Sequence, residues 1–161
     1  MPTLHTQFIS EGIDGDGNKV SIEHKVVMTS RGPVIQITLG IADIFAQQLI
    51  QQNEPVPEPI AGWALIDTGA WATCIDDVAA QRLRLPVIDK VNMSSASHGS
   101  TEKNVYPVKI QFAGIPIIVN ALKAIGASLD NQGLLVLLGR DVLQNFTLFY
   151  NGIAGQITIS L

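Results

Sequence analysis

Alternation of apolar and polar residues with period two runs through much of this chain. In "VIQITL", Ile35, Ile37 and Leu39 fall on one face of an extended segment, and Gln36 and Thr38 fall on the other. Successive side chains of a strand point to opposite faces, so this pattern predicts a half-buried strand. "VKIQF" repeats it with Val108, Ile110 and Phe112 against Lys109 and Gln111. Ala113-Gly114 then turns the chain into "IPIIV", a hairpin signal. At the end, "QITISL" alternates Ile157, Ile159 and Leu161 with polar residues. The pattern predicts a mainly β protein.

Helical periodicity is sparse. Residues 41–52 place Ile41, Ile44, Phe45 and Leu49 at the spacing of one helical face, and the prolines of "NEPVPEP" end the segment as a linker. Residues 76–85 predict a short helix with Asp76 as N-cap, and a last helical turn is expected after Gly139 in "RDVLQNF". There is no internal repeat and no low-complexity tract. "DGDGN" at residues 14–18 resembles the start of a calcium loop. That loop needs glycine at its sixth position and glutamate at its twelfth, where Lys19 and Lys25 stand, so a hairpin turn is predicted instead.

At 161 residues the chain is expected to form one domain with a real core. It is 47% apolar and only 15% charged, which points to apolar surface covered by a second chain. A net charge of −4 gives no electrostatic reason to expect nucleic acid or an anionic membrane as partner. The single cysteine, Cys74, excludes an intrachain disulfide and a multi-cysteine metal site. His5, His24 and His98 are too scattered for a local metal motif, so no metal or cofactor is expected, and His5 and His24 are read as surface residues. "MPTLHTQF" has no basic segment followed by an apolar stretch, and no run reaches the roughly 18 apolar residues of a membrane span. A soluble, cytoplasmic protein is expected.

The chemistry concentrates in "GWALIDTGAWATCID", residues 62–76, where an apolar run delivers Asp67 into a Thr-Gly turn. A buried charge is expensive unless it is paired or hydrogen-bonded. Gly139 follows 72 residues beyond Asp67 in "LLVLLGRD", and the small, polar "SSASHGST" lies between the two segments. Together these resemble the retropepsin-like (retroviral-type) aspartic proteases, in a single-lobe, non-viral cellular form. The Asp-Thr-Gly turn, a flap hairpin and the apolar-apolar-Gly-Arg-Asp signature match in that order. "GPVIQITLG" resembles the strand leading toward the catalytic turn, and "GQITISL" the C-terminal strand with which viral members dimerise. The resemblance runs from about residue 32 to residue 161. It implies a closed β-barrel of the acid protease fold, one lobe per chain with short helices. Residues 1–30 are then an N-terminal extension and residues 31–161 the protease domain.

The resemblance further implies an aspartic endopeptidase. Two carboxylates forced together share a proton, and the pair serves as base toward a water and acid toward the scissile amide. Asp67 would be the reagent, Thr68 would orient the turn, and Gly69 would let substrate backbone approach. Only one such half-site is present, so a homodimer would supply the second Asp67 on its twofold axis. Ala70, Trp71, Ser97, His98 and Gly99 are the expected substrate contacts, and Leu138, Gly139, Arg140 and Asp141 the structural motif. For His98, an exposed turn residue is the competing reading. Trp71 and Ala72 replace acids that viral members carry after the turn, so Arg140 is expected to pair with Asp76, Asp77 or Asp141. Trp71 reads either as a cleft wall or as core, and Cys74 as a small apolar residue beside the site. Two other readings stand beside proteolysis: a non-catalytic dimerisation or peptide-binding module on the same fold, and a β protein in which Asp-Thr-Gly is only a turn.

Overall fold

The computed structural model describes residues 1–8, 10–95 and 99–161. Along the chain run β1 (Thr3–Gln7), β2 (Ser10–Ile13), β3 (Lys19–Ile22), α1 (His24–Arg31), β4 (Val34–Ile41), α2 (Asp43–Gln51), β5 (Ile60–Ile66) and β6 (Cys74–Asp76). There follow α3 (Asp77–Arg82), β7 (Asp89–Ser95), β8 (Gly99–Phe112), β9 (Ile118–Ala127), β10 (Val136–Leu138), α4 (Arg140–Leu143), β11 (Thr147–Asn151) and β12 (Gln156–Ser160). The protein is mostly β, as the alternation predicts.

Six strands close into a barrel. The order β4-β5-β10-β6-β9-β8 returns to β4 through a β4–β8 pairing, and β7 extends β8 on the outside. Two of the pairings, β5 with β10 and β6 with β9, are parallel; the others are antiparallel. Closure removes the free edges that an open sheet would present. The predicted inward faces fill the barrel: Ile35, Ile37, Leu39, Val108, Ile110 and Phe112 are each at most 1% exposed. Phe112 also meets Phe146 at a ring-centroid distance of 5.6 Å.

A second sheet runs β1-β12-β11. Ile157 and Ile159 are buried in the main core, but Leu161, expected on the same face, is 47% exposed. β12 is paired on both sides within its own chain, so the free edges of this sheet belong to β1 and β11. Residues 1–30, expected as an extension, supply β1, most of α1 and the buried core residue Met28. β1 and α1 carry no strong periodicity in the sequence; both are held by tertiary contacts. His24, expected on the surface, is half-buried with its ring against the Phe8 carbonyl, whereas His5 is exposed.

The predicted "DGDGN" turn joins β2 to β3, with Asp14 Oδ1 accepting the amides of Asp16 and Asn18 at 3.0 and 2.8 Å. The helix expected over residues 41–52 starts later. Ile41 is the last residue of β4, and Ile44 is 57% exposed, leaving Phe45 and Leu49 to pack on the core. Strand pairing has taken the first predicted turn, because Ile41 completes the ladder with Val108. α2 is clipped to the barrel by Lys109, whose Nζ lies 2.7 Å from Asp43 Oδ1. No helix among the described residues is long and apolar enough to cross a membrane.

Candidate active site

β5 carries the chain to Asp67, and residues 67–73 cross over to start β6. β10 fills the gap between these two strands, parallel to β5 (Leu138 beside Ile66) and antiparallel to β6 (Leu137 beside Cys74). The crossover therefore passes over the end of β10, where Gly139 begins the next turn. This threading brings the two motifs together across 72 residues of sequence. Gly139 is buried, and a Cβ there would stand 2.7 Å from the Thr73 nitrogen, so the crossover can lie this close only on a glycine.

Hydrogen bonds bind the two segments to each other. The Asp67 amide donates to the Leu138 carbonyl at 3.0 Å, and the Arg140 amide donates to the Ala70 carbonyl at 3.0 Å. Thr73, fully buried, uses its hydroxyl twice: it accepts from the Gly139 amide at 3.1 Å and donates to Asp141 Oδ1 at 2.8 Å. Asp141 Oδ1 also accepts the Val142 amide at 2.9 Å. Thr73 was not singled out in the sequence. Its spacing from Asp67 holds no chemical pattern, and only the threading reveals its part.

Asp67 is half-buried, with Thr68 and Gly69 exposed beside it. Its Oδ1 accepts the Gly69 amide at 2.9 Å and the Ala70 amide at 3.2 Å; Oδ2 has no donor among the described residues. Gly69 does not have positive φ, so its turn does not demand glycine. A Cβ there would stand 3.1 Å from Asp67 Oδ1 and crowd the carboxylate.

Arg140 corrects an expectation. Its guanidinium pairs with none of Asp76, Asp77 and Asp141, and it is absent from the ion pairs among the described residues. Instead Nη1 donates to the carbonyls of Thr68 at 2.8 Å and Gly69 at 3.0 Å, clamping the turn itself. With no acid at residues 71 and 72, the nearest well-placed acceptors are backbone carbonyls. Asp76 caps α3 through Ala79, as predicted, but is also 3% exposed and accepts the amides of Leu129 and Asp130 at 3.0 and 3.1 Å.

Trp71 is 63% exposed, which settles against a core role. Cys74 is buried with Ala72 and Ile125, and burial first, then the charges of Asp141 and Asp67, push its thiol pKa up. It packs as a small apolar residue. β7 and β8 pair out to Ser95 beside Gly99, so the expected flap tip falls on the segment joining them. Gly99 opens β8; Ser97 and His98 lie outside the described residues. Among the described residues no group of His, Cys, Asp and Glu is arranged to hold a metal.

A cleft of about 910 Å³ is lined by the N-terminal segment and β5, and none of residues 67–71 lines it. Leu65 and Ile66, which lead into Asp67, form part of its wall with Trp63, Phe8, Arg31 and Leu134. The N-terminal segment contributes Phe8 and Arg31 to this cleft.

No family model matches the chain, and no curated protein matches it. Solved structures similar to it include these two. One is a retropepsin-like aspartic protease from Rickettsia conorii, 14% identical, with a TM-score of 0.44 over 98% of this chain and 92% of that one. The other is the retroviral protease-like domain of Ddi1 from Leishmania major, 14% identical, with a TM-score of 0.40 over 73% of this chain and 81% of that one.

Proposed function

We propose that this chain is one half of an aspartic endopeptidase, with the site formed where two copies bring their Asp67 turns together. The observation that carries the reading is the Asp67 turn: it is bound through backbone and side chain to the Gly139-Arg140-Asp141 segment while its own carboxylate stays accessible. A turn that served only to reverse the chain would need no such bracing. The chain brings one carboxylate to this place, and proton-sharing chemistry needs two. A homodimer supplies the second on the twofold axis.

In that dimer one proton is shared between the two carboxylates. The ionised member takes a proton from a water as it attacks the peptide carbonyl, and the protonated member gives its own to the departing nitrogen. Oδ1 of Asp67 is held by the Gly69 and Ala70 amides, which leaves Oδ2 for water and partner. An extended peptide would lie across Ala70 and Trp71. The exposed indole of Trp71 suits apolar side chains.

Asp67→Asn tests the reading, because it keeps the side-chain shape and removes the ionisable carboxyl. Proton transfer is worth roughly 10² to 10⁴ in rate, so cleavage of an extended peptide library should fall to background while the fold persists. Cleavage by the variant equal to that of the wild type would show that Asp67 is only a turn residue. Binding of peptides by both proteins with cleavage by neither would favour the non-catalytic module.

A further inference from the structure

We infer that Arg140 is a positioning residue for Asp67, acting on its carboxylate through two peptide groups. Each peptide unit is a rigid plane with its carbonyl at one end and its N–H at the other. In the unit joining Thr68 to Gly69, the carbonyl accepts from Arg140 Nη1 at 2.8 Å and the amide donates to Asp67 Oδ1 at 2.9 Å. In the unit joining Gly69 to Ala70, the carbonyl accepts from the same nitrogen at 3.0 Å and the amide donates to the same oxygen at 3.2 Å. Both arms start at one cation and end on one carboxylate oxygen.

Hydrogen bonds linked in series polarise one another. A cation on a carbonyl draws electron density along the peptide and makes its N–H a better donor. Better donors favour the ionised carboxylate over the protonated one. The guanidinium keeps its charge at every working pH. The second arm is the weaker, because the Ala70 amide also reaches the Asp67 carbonyl at 3.2 Å.

The other charged and titratable groups around the turn do not replace this link. Asp141 on α4 has its Oδ1 occupied by Thr73 and Val142. Cys74 on β6 is a neutral thiol whose ionisation the Asp67 charge opposes, and Lys103 on β8 acts on that thiol. Arg140 is the cation hydrogen-bonded to the Asp67 turn.

This role rests on the proposed function for its catalytic consequence but not for its physical one. The test is therefore a pH titration of the full chain followed by the backbone amide NMR signals of Gly69 and Ala70, in wild type, Arg140→Gln and Arg140→Lys. In Arg140→Gln the midpoint of the acid transition of these signals should rise above that of the wild type, because the two amide donors lose the cation behind them. Arg140→Lys keeps the charge with a less well-matched donor geometry and should rise by about half as much. Wild-type midpoints in both folded variants would overturn the relay. If Arg140→Gln fails to fold, Arg140→Lys decides alone, with an unmoved midpoint overturning the inference.

Cleavage supplies an independent check. In the variants the acidic limb of the pH–rate profile should move to higher pH, in the same direction as the amide midpoint. A residue that merely stiffened the turn would lower the rate and leave the limb in place, and that result would also overturn the relay. A moved amide midpoint in a chain that cleaves nothing would support the relay and remove the protease reading.

Discussion

Replacing Thr73 by valine isolates the bond that ties the crossover to the second motif. Valine has nearly the same shape, so no cavity forms and the change is confined to the hydroxyl. That hydroxyl serves two partners, and their environments differ. The Gly139 amide is buried, so losing its acceptor at 3.1 Å leaves an unpaired donor away from water, at a cost of about 1–3 kcal/mol. Asp141 is exposed and can recover a water in place of the Thr73 donor, which makes the loss of that bond minor. The orphaned amide dominates, and a destabilisation of about 1.5–3 kcal/mol is expected. Urea denaturation with the slope held common between proteins measures it. A double-mutant cycle with Asp141→Ala separates the two parts, with a coupling of less than about 1 kcal/mol expected. Thr73→Val within about 0.5 kcal/mol of the wild type would show that the Gly139 amide finds another acceptor and that the bracing argument is wrong.

Two further outcomes follow from buried groups around the same turn. Asp76→Ala strips the acceptor from the amides of Ala79, Leu129 and Asp130 at once and should cost about 3–5 kcal/mol, far more than loss of a surface helix cap; a change near 1 kcal/mol in thermal or urea unfolding would reduce Asp76 to a cap. Cys74, its thiol pKa raised chiefly by burial, should resist iodoacetamide at pH 8 in the native state and react at once in denaturant. Because the fold disfavours the thiolate, stability should be unaffected below the ordinary thiol range and decline as pH rises from there toward the raised value. Native labelling at the rate of a free cysteine would show that the cluster around Cys74 is open.

Much of the architecture was legible as pattern. Period-two runs at residues 34–39, 108–112 and 156–160 named strands and their buried faces, because burial on one side of a strand writes itself into alternate positions. The Asp14 turn, the Asp76 cap and the short helix after Gly139 were legible for a similar reason: each is a contact between near neighbours in the chain. The two motifs were visible as motifs, but their adjacency was known only through resemblance.

Tertiary structure alone decided the rest. β1 and α1 form where the remainder of the molecule offers β12 and a core for Met28, and nothing in residues 3–7 or 24–31 announces that offer. Ile41 was lost from its predicted helix because a strand partner, Val108, lies 67 residues away. Thr73 and Arg140 show the same limit at the site. Thr73 looks unremarkable until β10 is threaded beside it, and Arg140 was assigned a carboxylate partner because charge is readable in sequence whereas backbone carbonyls are not. Local periodicity determines which face of an element is buried; only the closed barrel determines which distant backbone groups a side chain will meet.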